Sequence, residues 1–403
     1  MTFNSSPDSK NSLSKPSTNP IDTMDSASNI MNSPFEGSPS KISHSVDSQS
    51  LSLDEQSCDI KPPKHSRLNP IWQARLRRFR RNRLGYWSTI VFAIIFMICM
   101  AVELVANDKP LLVSYQDHYY FPVLKAYPET AFGGIFETEA NYKDPAVQAL
   151  INEGGYYIMP LIPFADQTPS TERSEPYPAP PNSQNWLGTD DVGRDVLARI
   201  LYGMRISLLF GLALTLAGAM IGIFVGATQG YFGGWIDLAG QRFMEVWSGM
   251  PQLFMIIILV SLFSPSVYIL FALMLLFGWM GLVGLVRAEF LRARNFDYVR
   301  AARNLGVSDW QIMRRHILPN ALASSLSQLP FILTANIIAL TSLDFLGYGL
   351  PPGSPSLGEL MVQGRSNLDA PWLALSGFFS LTFILSLLIF IGEALRDAFD
   401  PKN

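Results

Sequence analysis

The sequence predicts an all-α polytopic membrane protein with six transmembrane helices. Of its 403 residues, 48% are hydrophobic and only 16% are charged, which is too apolar a balance for an ordinary soluble protein. Six apolar runs have about the length that crosses a bilayer. Arginine clusters lie before the first run and between the fourth and the fifth, so both flanks are expected on the cytoplasmic side.

The apolar runs follow one another closely, except after the first. We expect spans at about 87–106, 206–226, 237–263, 268–286, 321–343 and 372–394. Pro251 is expected to bend the third span and Pro330 to break the fifth, because proline removes a helical hydrogen bond. Glycine and alanine recur at helical spacing in the second span, which predicts close packing against other helices in lipid.

Polar segments surround these spans. Residues 1–70 are rich in serine, asparagine and proline, so we expect a disordered cytoplasmic tail without a signal peptide. Residues 71–106 comprise a basic segment and the first span; the basic segment would also suit nucleic acid, but the apolar run that follows favours a membrane surface. Residues 107–185 form an acidic insert, expected on the outer side of the membrane, with strands near 110–113, 119–123 and 156–161 and a helix at 145–153.

Several kinds of chemistry are absent from the sequence. It has no GxxxxGK[ST] phosphate loop, so it is not expected to be an ATPase. The span interiors lack the ionisable side chains of an ion-coupled carrier. The sequence also shows no set of residues that would form the selectivity filter of a channel. Asp190 and Asp191 suggest a metal site, but a calcium loop needs more oxygen ligands at regular spacing. We therefore expect no metal or other cofactor, and place Asp190 or Asp191 near the cap of an interfacial helix.

A polar, arginine-rich stretch at 297–320 separates the fourth and fifth spans. We expect a helix at 298–305, ended by Gly306 in a left-handed conformation, and a second helix at 310–317 with Ser308 as its N-cap. Pro319 is expected to stop the second helix or to begin the next span. The result is a short helical hairpin at the membrane surface, which is either an ordinary interfacial loop or a docking site for a partner.

Two sets of residues resemble the permeases of ABC importers. In the hairpin, the residues Ala301, Ala302, Gly306, Leu318 and Pro319 are similar to the EAA signature, by which such permeases dock on their ATPase. Arg300 stands where glutamate is usual, and His316 where an aliphatic residue is usual. The segment before the second span is similar to that of the dipeptide, oligopeptide and nickel branch, at Gly188, Thr189, Asp190, Gly193, Arg194, Asp195 and Arg205. Phrases such as EVWSGMP at 245–251 resemble the Yej-type subgroup.

This resemblance implies the MetI-like fold of type I ABC importers, with a permease core at 186–401 and the hairpin as its coupling loop. It implies a permease subunit that carries oligopeptides, including microcin C-like conjugates, across the inner membrane, with both termini in the cytoplasm. The implied partners are a sister permease, an ABC ATPase that binds ATP and magnesium, a periplasmic substrate-binding protein and membrane lipid, but no nucleic acid. The sequence does not identify residues that line the substrate path.

A second function stays open from the residues alone. The chain would then be a non-transporting membrane scaffold or sensor, with the acidic insert at 107–185 as its receptor. In the transport hypothesis, the same insert either meets the substrate-binding protein or is a peripheral loop.

Overall fold

The computed structural model describes residues 70–170 and 175–399, and this part of the chain is mostly helical. In chain order its α-helices are α1 (Pro70–Arg81), α2 (Arg83–Met100), α3 (Val102–Val105), α4 (Pro145–Gly154), α5 (Val196–Phe232), α6 (Gly234–Ser248), α7 (Gln252–Ser261), α8 (Val267–Gly278), α9 (Val283–Ala293), α10 (Asp297–Asn304), α11 (Asp309–Gln311), α12 (Leu318–Leu326), α13 (Leu329–Phe345), α14 (Leu357–Ser366) and α15 (Pro371–Phe399). The disordered tail predicted at 1–70 lies outside the described residues as far as Pro70, where α1 begins.

Four helices in the described residues are long and apolar enough to cross a membrane: α2, α5, α15 and the stretch Val267–Ala293, in which a 3₁₀ turn (Trp279–Leu282) joins α8 to α9. Two further candidates are bent pairs. Helices α6 and α7 meet at 71°, and the helix Asp309–Leu326 meets α13 at 55°. Counting each bent pair as one span gives the six predicted spans. The bends lie beside Pro251 and Pro330, as the loss of a helical hydrogen bond at proline requires.

The first span ends earlier than predicted. Asn82 caps α2 by accepting a hydrogen bond from the Gly85 amide (3.2 Å), and α2 stops at Met100 instead of reaching Ala106. The single turn of α3 follows separately. Val102 and Ala106 are buried with side chains from the end of the insert, so tertiary packing rather than the length of the apolar run sets this boundary.

Helix α5 is the central element of the bundle and packs against α2, α9 and α13. It has 37 residues, which corresponds to about 55 Å at 1.5 Å per residue. Glycines bring it close to the chain around α9: a Cβ at Gly222 would lie 2.5 Å from the Trp279 carbonyl oxygen, and one at Gly226 would lie 2.7 Å from that of Val283. The predicted packing on small residues is confirmed.

The insert contains a three-stranded antiparallel sheet in the order β2–β1–β3, formed by β1 (Leu112–Tyr115), β2 (His118–Tyr120) and β3 (Gly155–Ile158). Asp144 caps α4 by accepting from the Ala146 amide (2.9 Å). Val113, Phe132 and Ile151 are fully or almost fully buried between the sheet and α4. The three predicted strands and the predicted helix are confirmed, with shifted ends, and the insert has a hydrophobic core of its own.

The stretch between α13 and α15 contains one short helix, α14. The Asp344 carboxylate, at the end of α13, accepts from the Leu350 amide (2.7 Å) and the Ser356 hydroxyl (2.5 Å). Ser356 in turn caps α14 at the Gly358 amide (3.1 Å). These bonds fix the glycine- and proline-rich loop at 347–356 against the start of α14.

Candidate functional site

The first arm of the hairpin at 297–320 is α10, which ends in a glycine turn. Gly306 has φ +77°. The Val307 amide donates to the Ala302 carbonyl (3.2 Å), and the Gly306 amide donates to the Arg303 carbonyl (3.0 Å). This pair of bonds is a Schellman motif, which satisfies the last carbonyls of a helix. The predicted left-handed glycine is confirmed, and within the described residues no atom would lie within 4 Å of a Cβ at Gly306.

The second arm differs from the prediction. Ser308 has the extended backbone of an N-cap, but its side chain makes no capping hydrogen bond. Helix α11, a π-helix (Ile312–Ile317) and α12 continue into one another, so Pro319 does not stop the helix, which ends at Leu326. Pro319 lies in the first turn after the π-helix, where the change of hydrogen-bond register lets the chain accept a residue without an N–H.

Tyr231, near the end of α5, fixes the hairpin to that helix. Its hydroxyl donates to Oδ1 of Asp309 (2.5 Å) and accepts from Nη2 of Arg303 (3.1 Å). The Arg303 guanidinium lies 5.4 Å from the centre of the Tyr231 ring, within cation–π range. The hydrogen bond to Tyr231 raises the pKa of Arg303. Beneath these polar contacts, hydrophobic side chains of both arms pack with Phe290 of α9: Val299, Ala302, Ile312, Met313 and Ile317.

The segment before α5 depends on two left-handed glycines. Gly188 has φ +77° and Gly193 has φ +87°. A Cβ would lie 2.7 Å from the Ala179 carbonyl oxygen at Gly188 and 2.6 Å from the Tyr177 ring at Gly193, so both positions also lack room for a side chain. Thr189 is fully buried, and its hydroxyl accepts from the Ala179 amide (2.9 Å). The segment is therefore closely fitted against 177–179.

Asp195 is the N-cap of α5, so the expectation that Asp190 or Asp191 lies near the cap is wrong. The Asp195 carboxylate accepts from the Ala198 amide (2.8 Å) and from the Asn185 side chain (2.9 Å). Burial raises the pKa of Asp195, while these hydrogen bonds act in the opposite direction. The expected interfacial helix and the second span form a single helix, because no residue between Val196 and Phe232 breaks the ladder.

Asp190 belongs to a buried cluster of four charges. Its Oδ2 lies 2.7 Å from Nε of Arg194 and 3.4 Å from Nε of Arg199. The Arg199 side chain is wholly buried, and its Nη2 lies 2.7 Å from Oε2 of Glu359 in α14. Nη2 of Arg194 lies 3.7 Å from Oε1 of Glu359. Two arginines and two carboxylates cancel, so the cluster joins the start of α5 to α14 without a net buried charge.

The environment of Glu359 opposes its ionisation. Burial raises the pKa of Glu359, although Arg199 and Arg194 favour the charged form. Arg205, also predicted as a site residue, lies away from this cluster: its Nη1 contacts Oε1 of Glu103 (2.6 Å) and ties α5 to α3. Within residues 70–170 and 175–399, no group of three or more His, Cys, Asp or Glu side chains is placed to hold a metal ion.

Comparison with known proteins decides the family. Residues 218–403 match the model of the binding-protein-dependent transport system inner membrane component, and residues 71–123 match the N-terminal TM domain of oligopeptide transport permease C. The inner membrane ABC transporter permease protein YejE of Escherichia coli K12 is 58% identical over 338 residues, which cover 84% of this chain and 99% of that protein. The chain belongs to this family of ABC importer permeases.

More distant members agree with that assignment. The peptidoglycan transport system permease protein YejE of Agrobacterium fabrum is 51% identical to this permease over 365 residues, which cover 85% of this chain and 96% of that protein. The dipeptide transport system permease protein DppC of Bacillus subtilis is 36% identical over 227 residues, which cover 55% of this chain and 70% of that protein.

The hairpin residues of this permease that resemble the EAA signature divide into two groups. Arg300, Ala301, Gly306 and Pro319 are exposed, whereas Ala302 is buried and Leu318 is half-buried. The exposed group offers a surface for a partner, and the buried pair holds the arms on the bundle. Their role in coupling stays a prediction.

Sequence reasoning missed two residues that organise these regions, Tyr231 and Glu359. Both carried a weak signal. Glu359 is the one acidic residue between 345 and 368, in a stretch rich in glycine and proline, and Tyr231 lies two residues before the turn at 233–234. Neither signal identifies the contact partner. Arg199, the partner of Glu359, lies 160 residues away in the chain, and Asp309, a partner of Tyr231, lies 78 residues away.

Proposed function

We propose that this permease subunit imports oligopeptides across the inner membrane, driven by a separate ABC ATPase that docks on the hairpin at 297–320. The observation that best supports this is the exposed surface of Arg300, Ala301 and Gly306, carried on arms that Tyr231 fixes to α5. Force on that surface would pass to a 37-residue helix whose other end joins the Arg199–Glu359 cluster. ATP and magnesium would bind to the ATPase.

The charge of the loop supports a cytoplasmic position for the hairpin. Between 287 and 315 there are seven arginines and three acidic residues. Such an excess of positive charge is typical of cytoplasmic loops. With six spans, both termini would then lie in the cytoplasm, and the insert would lie in the periplasm, where a substrate-binding protein could meet it.

The surface of the bent span α6–α7 supports a sister permease as the second half of the pathway. Trp235 is 84% exposed, Val246 74% and Phe254 65%, in helices of span length that bend at Pro251. Lipid or a second permease would cover such a surface. In a heterodimer, the peptide would pass between the two subunits while the spans rock from an inward-facing to an outward-facing arrangement.

The relatives support a peptide-containing substrate. Their names refer to dipeptides, oligopeptides and peptidoglycan, and a peptide is common to all three. Oligopeptides are therefore our first candidate, with microcin C-like conjugates as a special case. Peptidoglycan-derived peptides are the second, favoured by the Agrobacterium relative at 51% identity. Uptake of a labelled oligopeptide and of a labelled muropeptide into a strain that lacks this gene, with and without complementation, separates the two and tests the scaffold alternative.

The hairpin is tested by Gly306→Pro. Proline fixes φ near −65°, whereas Gly306 has φ +77° and donates its amide to Arg303, so the turn cannot form. We expect normal membrane insertion but loss of ATPase co-purification and of transport-linked ATP hydrolysis. Gly353→Pro is the matched control, because Gly353 also has a left-handed φ (+85°) and open surroundings but lies in the loop before α14. Equal ATPase binding by the two variants would contradict docking on the hairpin.

A further inference from the structure

A basin lined by two arginines and an apolar slot lie next to each other on the second arm of the hairpin. The basin has a volume of about 610 Å³ and is lined by Ser308, Trp310, Gln311, Arg314, Arg315 and Pro319. The slot has a volume of about 260 Å³, and its lining is almost wholly apolar, with Met220, Phe224, Met313 and Leu318 among its walls. Trp310 and Arg314 line both cavities, so the two lie side by side.

The basin carries two positive charges without a counterion. Arg314 and Arg315 are exposed, and among the described residues neither has a hydrogen-bond or ion-pair partner. Of the hairpin's two other arginines, Arg303 is bonded to Tyr231 and Arg300 does not line the basin. Two unpaired guanidinium groups in one concave surface favour an anionic group with several oxygen acceptors.

The slot lies beside the basin and extends along α5, a helix of span length. Its wall on α5 extends from Ala227 to Met220, about 10 Å along the helix axis at 1.5 Å per residue. Met220 is 73% exposed and Phe224 is 58% exposed, both on a helix of span length. Trp310 lines both cavities and is exposed, and tryptophan is enriched at the level of lipid headgroups.

We propose that this site binds an anionic phospholipid, with its phosphate on Arg314 and Arg315 and one acyl chain in the slot beside Met220 and Phe224. A ligand that is anionic at one end and a hydrocarbon at the other satisfies both cavities, whereas a soluble anion would leave the slot empty. Basic pockets between transmembrane helices at the cytoplasmic side are sites of this kind. A lipid held there would contact the π-helix and so stiffen the arm that follows Gly306.

The test compares two lipid probes on the purified permease complex in phosphatidylcholine nanodiscs. One probe is phosphatidylglycerol with a diazirine on its acyl chain, and the other is phosphatidylcholine with the same acyl diazirine. After irradiation, the labelled residues are mapped by peptide mass spectrometry. We expect labels on 220–227 and 310–318, with phosphatidylglycerol strongly preferred. Each of Arg314→Gln and Arg315→Gln should lower this preference about fivefold, since one arginine near anionic lipid contributes about that factor.

Two further variants make the outcome specific. Arg300→Gln removes the same charge from the same hairpin outside the basin, and it should leave the preference for phosphatidylglycerol unchanged. Met220→Trp narrows the slot without changing charge, and it should reduce labelling by both probes. Equal loss of preference in Arg300→Gln and Arg314→Gln would overturn the site, because it would show only general attraction to a basic surface. Absence of label from 220–227 would also overturn it and would indicate that another subunit covers the slot. Pro319 lines the basin and also belongs to the proposed docking surface, so the labelling is repeated without the ATPase subunit, where a lipid site should keep its preference for phosphatidylglycerol.

Discussion

Replacing Arg199 by methionine should destabilise the permease more than any change of an exposed charge. The Arg199 side chain is wholly buried, with Nη2 2.7 Å from Glu359 and Nε 3.4 Å from Asp190. Its Nη1 also donates to the Asp166 carbonyl (3.2 Å). Methionine has a similar volume but leaves the cluster with one surplus negative charge. Removing one partner of a buried ion pair costs about 3–5 kcal/mol, and we expect that range.

The second half of the experiment restores neutrality. Glu359→Gln alone leaves one surplus positive charge, but Glu359 is only half-buried and an amide oxygen can still accept from Arg199, so we expect a smaller cost than for Arg199→Met, about 1–3 kcal/mol. In the double variant Arg199→Met with Glu359→Gln, the cluster again carries no net charge. We expect the double variant to be more stable than the sum of the single effects by about 1–3 kcal/mol.

The measurement is denaturant unfolding of the detergent-solubilised permease, followed by circular dichroism. Arg242→Met is the matched control: Arg242 pairs with Glu245 at 2.5 Å, but the two side chains are 70% and 58% exposed, so its loss should cost less than about 1 kcal/mol. If Arg199→Met and Arg242→Met have equal midpoints, or if the double variant shows no recovery, the reasoning from charge balance is refuted.

Three further predictions concern packing, the hairpin and pH. Gly222→Ala should lower stability by about 1–3 kcal/mol, since its Cβ would lie 2.5 Å from the Trp279 carbonyl oxygen. Gly218→Ala should have little effect, because its Cβ would lie 3.5 Å from the Gly278 oxygen. Thermal unfolding of the two variants measures this difference. Tyr231→Phe removes the hydrogen bonds to Asp309 and Arg303 and should speed amide exchange over 297–311 about tenfold. The control is Tyr202→Phe, which removes a hydroxyl that contacts the Ala106 carbonyl and should leave exchange over 297–311 unchanged. Hydrogen-exchange mass spectrometry measures both variants. Burial raises the pKa of Glu359 above 4.5, so the folded protein binds the Glu359 proton more tightly than the unfolded chain does. The stabilisation from this bound proton is present below pH 4.5 and is lost as the pH rises through the folded pKa. The stability of wild type relative to Glu359→Gln should therefore fall over that pH range, and a constant difference would contradict this sign.

Local signals predicted most of the fold. Gly306 could be placed because only a residue tolerant of positive φ ends a helix in that way, and the bends at Pro251 and Pro330 followed from a missing N–H. The errors share one cause, which is that specific side-chain contacts override the general preference of a residue type. Asp190 had all the features of a cap, but its carboxylate pairs with Arg194 and Arg199, and Asp195 takes the position.

The candidate site could be predicted by residue but not by arrangement. The signature residues Ala301 and Ala302 are adjacent in sequence, yet one faces outward and the other is buried against Ile312 and Phe290. The sequence also did not predict that the helix of the second arm continues through Pro319. A π-helix differs from an α-helix in its hydrogen-bond register, and no characteristic amino-acid composition marks it in the sequence.

An unbroken α5 beside two bent spans has a mechanical consequence. The two bent spans would flex at their breaks, whereas α5 is one continuous helix of about 55 Å that would tilt as a rigid lever. With a fulcrum at its middle, a tilt of about 5° swings each tip by roughly 2.4 Å, given that length. Such a swing is comparable to the 2.7 Å that separates Arg199 from Glu359 at the far tip. If an ATPase pulls the hairpin end of α5, as we propose, the Arg199–Glu359 ion pair at the other end of the same helix would be expected to separate.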